Sequence, residues 1–116
     1  MKAQPPRAFE SPAEFDEMVG KARAASEFLK ALAQESRLLI LCALDGGERS
    51  VGELEALLSQ RQSTVSQQLA RLRLEGLVAA RRDGSTIRYR IANGRVATML
   101  AALRQSFCAP EGGGGA

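Results

Sequence analysis

A chain of 116 residues with 45% hydrophobic and 4% aromatic content is one domain by length, with room for a single core but little for a deep substrate cleft. No apolar run approaches the roughly 18 residues that span a bilayer, and Met1-Lys2-Ala3-Gln4-Pro5-Pro6 lacks the apolar stretch of a secretory leader. No membrane partner is expected, and the expected compartment is the cytoplasm, where two cysteines start out reduced. Formal net charge is only +3, yet residues 61–95 hold eight arginines against Glu75 and Asp83, a charge of +6 that leaves −3 for the remainder. A basic block on an otherwise acidic domain points to a polyanion docking on one face, the alternative being a solvated arginine face. Lysine is absent from the block, and arginine is the better bidentate phosphate ligand.

Residues 1–10 contain two prolines and no periodicity, which predicts a flexible arm ahead of a domain over 11–108. Ser11-Pro12-Ala13-Glu14 sets a hydroxyl cap, a first-turn proline and a capping-box glutamate at helix-start spacing. The helix that follows carries Phe15, Met18, Val19, Ala22, Ala25, Leu29 and Leu32 in a 3.6-type stripe and should run to about Ala33. A second helix over about Glu35 to Leu44 is apolar almost all round, so it belongs at the centre, and Asp45-Gly46-Gly47 ends it. Ser50-Val51-Gly52-Glu53 is another capping box, opening a short helix to about Leu58.

After a tight connection a helix from about Gln62 to Glu75 turns Val65, Leu69, Leu72 and Leu74 inward, and Gly76 closes it. The period then drops from 3.6 to 2. Val78 and Ala80, then Ile87, Tyr89 and Ile91, alternate with arginines across Asp83-Gly84, a hairpin signal of the type I′ kind with positive φ twice. Asn93 caps a last helix with Val96, Met99, Leu100, Leu103 and Phe107 on one face, and 109–116 is expected to be a disordered tail.

Helix, helix, short helix, tight turn, helix, arginine-rich hairpin, helix is the layout of a winged helix-turn-helix: mainly α with one small β-hairpin. The helix from Gln62 presents Gln62, Ser63, Thr64, Ser66, Gln67, Gln68 and Arg71 on its outer face. Hydroxyls, amides and an arginine are the groups that read base edges in a major groove and grip nearby phosphates. The hairpin offers Arg81, Arg82, Arg88 and Arg90 to the flanking backbone or minor groove. Double-stranded DNA is the partner this surface predicts. No residue of it is specific alone; the specificity lies in the combination within about 45 residues.

Four strings carry a definite resemblance: 31–41 (ALAQESRLLIL), 62–69 (QSTVSQQL), 72–78 (LRLEGLV) and 81–84 (RRDG). Together they resemble the ArsR/SmtB family of bacterial repressors over roughly residues 18–108. The resemblance implies a homodimer built on the first and last helices, two recognition helices reading a palindromic operator, and an inducer that weakens DNA affinity. Two departures bear on the inducer. Family members that sense metals through the helix near Ser50 carry cysteines there, where this chain has Ser50 and Gly52. Members that sense through the last helix use aspartate and histidine, and this chain has no histidine. Arg61 also stands where the family usually has a serine or glycine cap, which weakens that helix start.

Cys42 and Cys108 are the only cysteines. From the residues alone, Cys42 among Leu38, Leu39, Ile40 and Leu41 reads as a small core hydrophobe. A functional pair instead requires the last helix to fold back on the second, with Arg104 one turn before Cys108 favouring a thiolate. A cysteine in each of those helices resembles the BigR/SqrR-type subgroup, which responds to persulfides and oxidants. The resemblance implies that Cys42 and Cys108 are the sensing thiols, joined by a disulfide or longer sulfur chain as DNA is released. No cofactor and no metal is expected. The rivals are a metal(loid) sensor, a thiol enzyme and a structural nucleoid protein. The first lacks histidine and a local cysteine pair, the second a Cys-x-x-Cys motif and a histidine base.

Overall fold

The computed structural model describes residues 8–59 and 61–108, and among those the side chain of Gln62 is left out. The expected tail lies outside the described residues, as does the arm before Ala8. Two compact units emerge, one ending at Gln34 and the other starting at Glu35.

The first unit is a single long helix, α1 (Pro12–Leu32). Ser11 caps it by accepting from the Glu14 N–H at 3.1 Å. The Glu14 carboxylate reaches back one residue beyond the cap, to the Glu10 N–H at 2.9 Å, rather than closing the reciprocal box on Ser11. Of the predicted apolar stripe only Leu32 is buried; Phe15, Val19 and Leu29 stay more than half exposed.

The second unit runs α2 (Glu35–Leu44), β1 (Arg49–Ser50), α3 (Val51–Leu58), α4 (Gln62–Leu74), β2 (Val78–Asp83), β3 (Thr86–Ile91) and α5 (Gly94–Phe107). Its core is aliphatic: Ile40, Leu41 and Leu44 from α2, Leu54 from α3, Val65, Leu69 and Leu72 from α4, Leu77 and Val78, and Val96 and Leu100 from α5. The predicted caps form throughout this unit. Ser50 accepts from the Glu53 N–H while the Glu53 carboxylate accepts from the Ser50 N–H, and Asn93 accepts from the Arg95 N–H. Gly76 ends α4 at φ +79°, a left-handed position that glycine takes without steric cost.

Three expectations need correction. Leu74 points out, 88% exposed, because it follows Leu72 by two residues and so lies about 200° round the helix from it; Phe107, 80% exposed, shares the side of Leu100 but lies two turns beyond it at the helix end. The hairpin turn sits one residue later than predicted. Asp83 faces Thr86 in the ladder, so Gly84 and Ser85 are the central pair, and only Gly84 has positive φ (+66°). That is the glycine-first, type II′ pattern. Finally, the sheet has a third strand: β1 pairs antiparallel with β3, Arg49 opposite Tyr89 and Ser50 opposite Arg88, giving the order β1-β3-β2. A two-residue strand leaves no period to read.

Candidate DNA interface and thiol site

The recognition-type helix α4 is oriented by its buried edge. Val65, Leu69 and Leu72 lie at spacings of four and three and are all fully buried, so the opposite face must meet solvent. Ser63, Thr64, Ser66, Gln67 and Arg71 are exposed on it. The helix starts at Arg61 with no side-chain cap, as that residue type predicts.

Gln68 is placed differently from its neighbours. Its amide donates to Ser36 Oγ at 2.8 Å and accepts from Arg37 Nε at 3.3 Å. Arg37 in turn donates to Glu75 Oε1 at 3.2 Å. Both ends of this amide are therefore engaged within the protein. Arg37, only 7% exposed, joins α2 to the middle and end of α4 at once. Sequence reasoning missed this role. The available signal was a guanidinium one turn into a helix that is otherwise apolar all round, where a buried cation has to find partners.

The hairpin sorts its arginines into two kinds. Register puts Arg81 directly opposite Arg88 and Ala79 opposite Arg90 on one face, while Arg82 faces Ile87 on the other. Two like charges in direct cross-strand contact are unfavourable unless neutralised. They are neutralised here: Arg81 grips Glu48 through Nε and Nη2, the shortest contact 2.6 Å, and Arg88 bonds Asp83 at 3.0 Å and Glu53 at 3.3 Å. The Arg81 hydrogen bond holds the Glu48 carboxyl below the ordinary glutamate range. Glu53 is lowered too, first by the Ser50 N–H and then by Arg88. Arg82 and Arg90 are exposed and make no ion pair among the described residues.

The two thiols lie on helix ends that an ion pair joins. Cys42 lies on the last turn of α2 and Cys108 caps α5, both free and exposed. Asp45, just past α2, forms an ion pair with Arg104 on α5, which ties the two helix ends together beside the thiols. The core reading of Cys42 therefore fails: apolar as α2 is, it is covered on only part of its circumference, and Cys42 lies exposed, as does Leu39. Desolvation raises the Cys42 pKa, and the charges of Asp45 and Cys108 add to the rise. Arg104 opposes them with the smallest effect. No group of three or more histidine, cysteine, aspartate or glutamate side chains that could hold a metal occurs among the described residues.

A capped short helix, a solvent-facing polar helix locked to its neighbours and a basic hairpin define a winged helix-turn-helix regulator. Residues 34–80 match the family described as bacterial regulatory protein, arsR family. The biofilm growth-associated repressor of Agrobacterium fabrum is 48% identical over 94 residues, covering 81% of this chain and 80% of that protein. The crystal structure of the transcriptional repressor BigR from Xylella fastidiosa superposes with a TM-score of 0.78 at 40% identity, covering 83% of this chain and 98% of that one. The homodimeric winged helix-turn-helix DNA-binding domain Mb0332 from Mycobacterium bovis is 35% identical with a TM-score of 0.62, covering 86% and 89%. The chain belongs to the ArsR family of bacterial transcriptional regulators, which bind DNA and are not enzymes.

Proposed function

We propose that this protein is a homodimeric repressor that senses reactive sulfur species or oxidants through Cys42 and Cys108 and then releases its operator. The observation that supports the reading is that the ends of α2 and α5, each carrying a free, exposed thiol, are joined by the Asp45–Arg104 pair. The repressor assignment follows the names of the Agrobacterium and Xylella relatives, and the dimer that of the Mycobacterium bovis domain. In this reading Gln62, Ser63, Thr64, Ser66, Gln67 and Arg71 serve the major groove. Arg82 and Arg90 grip the flanking backbone, and Gln68 serves by fixing α4.

The chemistry balances without a cofactor. Two cysteine thiols and one persulfide RSSH give a disulfide, RSH and hydrogen sulfide; a second RSSH inserts one sulfur more and leaves a second RSH. Peroxide gives the disulfide and two waters. Each inserted sulfur lengthens the bridge by about 2 Å, so a polysulfide closes over thiols held beyond the reach of a disulfide, whose Cα atoms must lie about 4.4–6.8 Å apart. A raised Cys42 pKa lowers the thiolate fraction of that residue, which slows its attack on peroxide and persulfide alike.

The test uses duplexes selected from a random-sequence pool by the reduced protein. Affinity is measured for reduced, persulfide-treated and peroxide-treated samples, each weighed by mass spectrometry. Crosslinking should weaken binding several-fold to hundredfold, the usual range of a coupling of about 1–3 kcal/mol. Cys42→Ser and Cys108→Ser should bind as well as the reduced protein and lose the response; a Cys108→Ser variant that still responds refutes the paired-thiol mechanism.

A further inference from the structure

Among the described residues, two arginines of the hairpin are paired with carboxylates and two, Arg82 and Arg90, have no such ion pair. Arg81 spends its fork on Glu48 in a bidentate contact, and Arg88 spends Nε and Nη1 on Asp83 and Glu53. A carboxylate offers a guanidinium the same two-oxygen geometry as a phosphate. We propose that Glu48, and Asp83 together with Glu53, act as phosphate mimics that keep Arg81 and Arg88 off the backbone of non-operator DNA, so that the wing meets such DNA through Arg82 and Arg90 alone. The acids restrain the sequence-independent part of the affinity, which is the part that phosphate contacts supply. Glu48 is positioned for this by the turn before β1, and Glu53 by its capping box at the head of α3, so neither needs to be recruited. The inference rests on the reading that the wing faces DNA and is independent of the thiols.

Salt dependence reads the count of phosphate contacts directly, because each contact changes the slope of log K against log salt by about 0.9. With a random-sequence duplex and the intact reduced protein, Arg81→Gln should leave the slope unchanged, whereas Arg82→Gln should lower it by about 0.9 per subunit bound. Glu48→Gln should raise the slope by about the same amount by freeing Arg81, and Glu48→Gln with Arg81→Gln should return it to the wild-type value. Asp16→Asn removes an equal charge from α1 and controls for net charge; it should not move the slope. A merely structural role for Glu48 would lower the melting temperature with no change in slope, and that result overturns the inference. A fall in slope for Arg81→Gln alone overturns it as well, with the wing's contact to DNA left standing. Unchanged slopes in both Arg82→Gln and Arg90→Gln remove the wing from the DNA and overturn the inference together with the reading beneath it.

Discussion

Replacing Arg37 with alanine tests how the recognition helix is held. The guanidinium is buried at 7% exposure and serves Gln68 at 3.3 Å and Glu75 at 3.2 Å. Hydrogen bonds to charged groups contribute about 1.5–3 kcal/mol when short and dry. Both bonds here are longer than the roughly 2.7–2.9 Å of an ideal charged pair. The Glu75 side chain is also 42% exposed, so solvent screens it to well under about 1 kcal/mol. About 1–1.5 kcal/mol remains for the Gln68 bond, and about 1 kcal/mol more for the lost packing of the arginine stem.

Arg37→Ala should therefore cost about 2–3 kcal/mol, a melting temperature lower by about 10–20 °C for a domain of this size. Glu75→Gln should cost about 0.5 kcal/mol or less. Arg37→Met, which keeps the stem and removes a buried charge, should fall between them. The assay is urea denaturation at one fixed protein concentration, since dimer formation makes stability concentration-dependent, with the m-value checked for constancy. The ranking is the critical result. If Glu75→Gln costs as much as Arg37→Ala, the surface ion pair holds α4 and the argument from burial is wrong.

Alkylation of Cys42, followed by mass in Cys108→Ser, should show a midpoint above the roughly 8.5 of a free thiol. Asp45→Asn should lower that midpoint and Arg104→Gln should raise it, and shifts of the opposite sign refute the assigned charges. Stability has a matching sign. A thiol pKa raised on folding contributes stability that is full below the unfolded value and is lost as pH rises through the folded one, so alkaline pH should destabilise wild type more than Cys42→Ser. Ser50→Ala breaks a complete capping box and should cost about 1 kcal/mol by urea denaturation, with a smaller loss for Asn93→Ala, which removes one bond. Gly84→Ala meets no atom within 4 Å, so its expected loss of about 1–2 kcal/mol comes from the positive φ alone; an unchanged midpoint contradicts the turn type.

Helix starts were the most legible part of the chain, because each is written in a few adjacent residues: Ser11 with Glu14, Ser50 with Glu53, Asn93 before Gly94. The outward face of α4 was legible too, since Val65, Leu69 and Leu72 fix which side is buried. What escaped was everything that depends on long-range pairing. Gln68 has the same residue type as Gln67, and only the approach of Ser36 and Arg37, more than thirty residues earlier, sets it apart. Arg81 and Arg82 are likewise indistinguishable in sequence, yet strand alternation sends one to Glu48 and leaves the other without an ion pair among the described residues. The Asp45–Arg104 ion pair, which joins the end of α2 to α5, spans fifty-nine positions, and no local spacing encodes it.

The two halves of the proposed mechanism meet on α2. Its first turns carry Ser36 and Arg37, which hold α4, and its last turn carries Cys42. Only five residues separate Arg37 from Cys42, roughly 7.5 Å along a helix axis. A bridge that pulls the end of α2 toward α5 acts on the same rigid rod that positions the recognition helix. Coupling of that kind has a physical warrant only when one element is biased by both sites, and α2 meets the condition by carrying a contact from each. Arg37→Met keeps the rod and the thiols but releases its grip on Gln68. In that variant the ratio of reduced to crosslinked DNA affinity should shrink toward one. A ratio equal to wild type would mean that the signal passes around α4, through the dimer geometry instead.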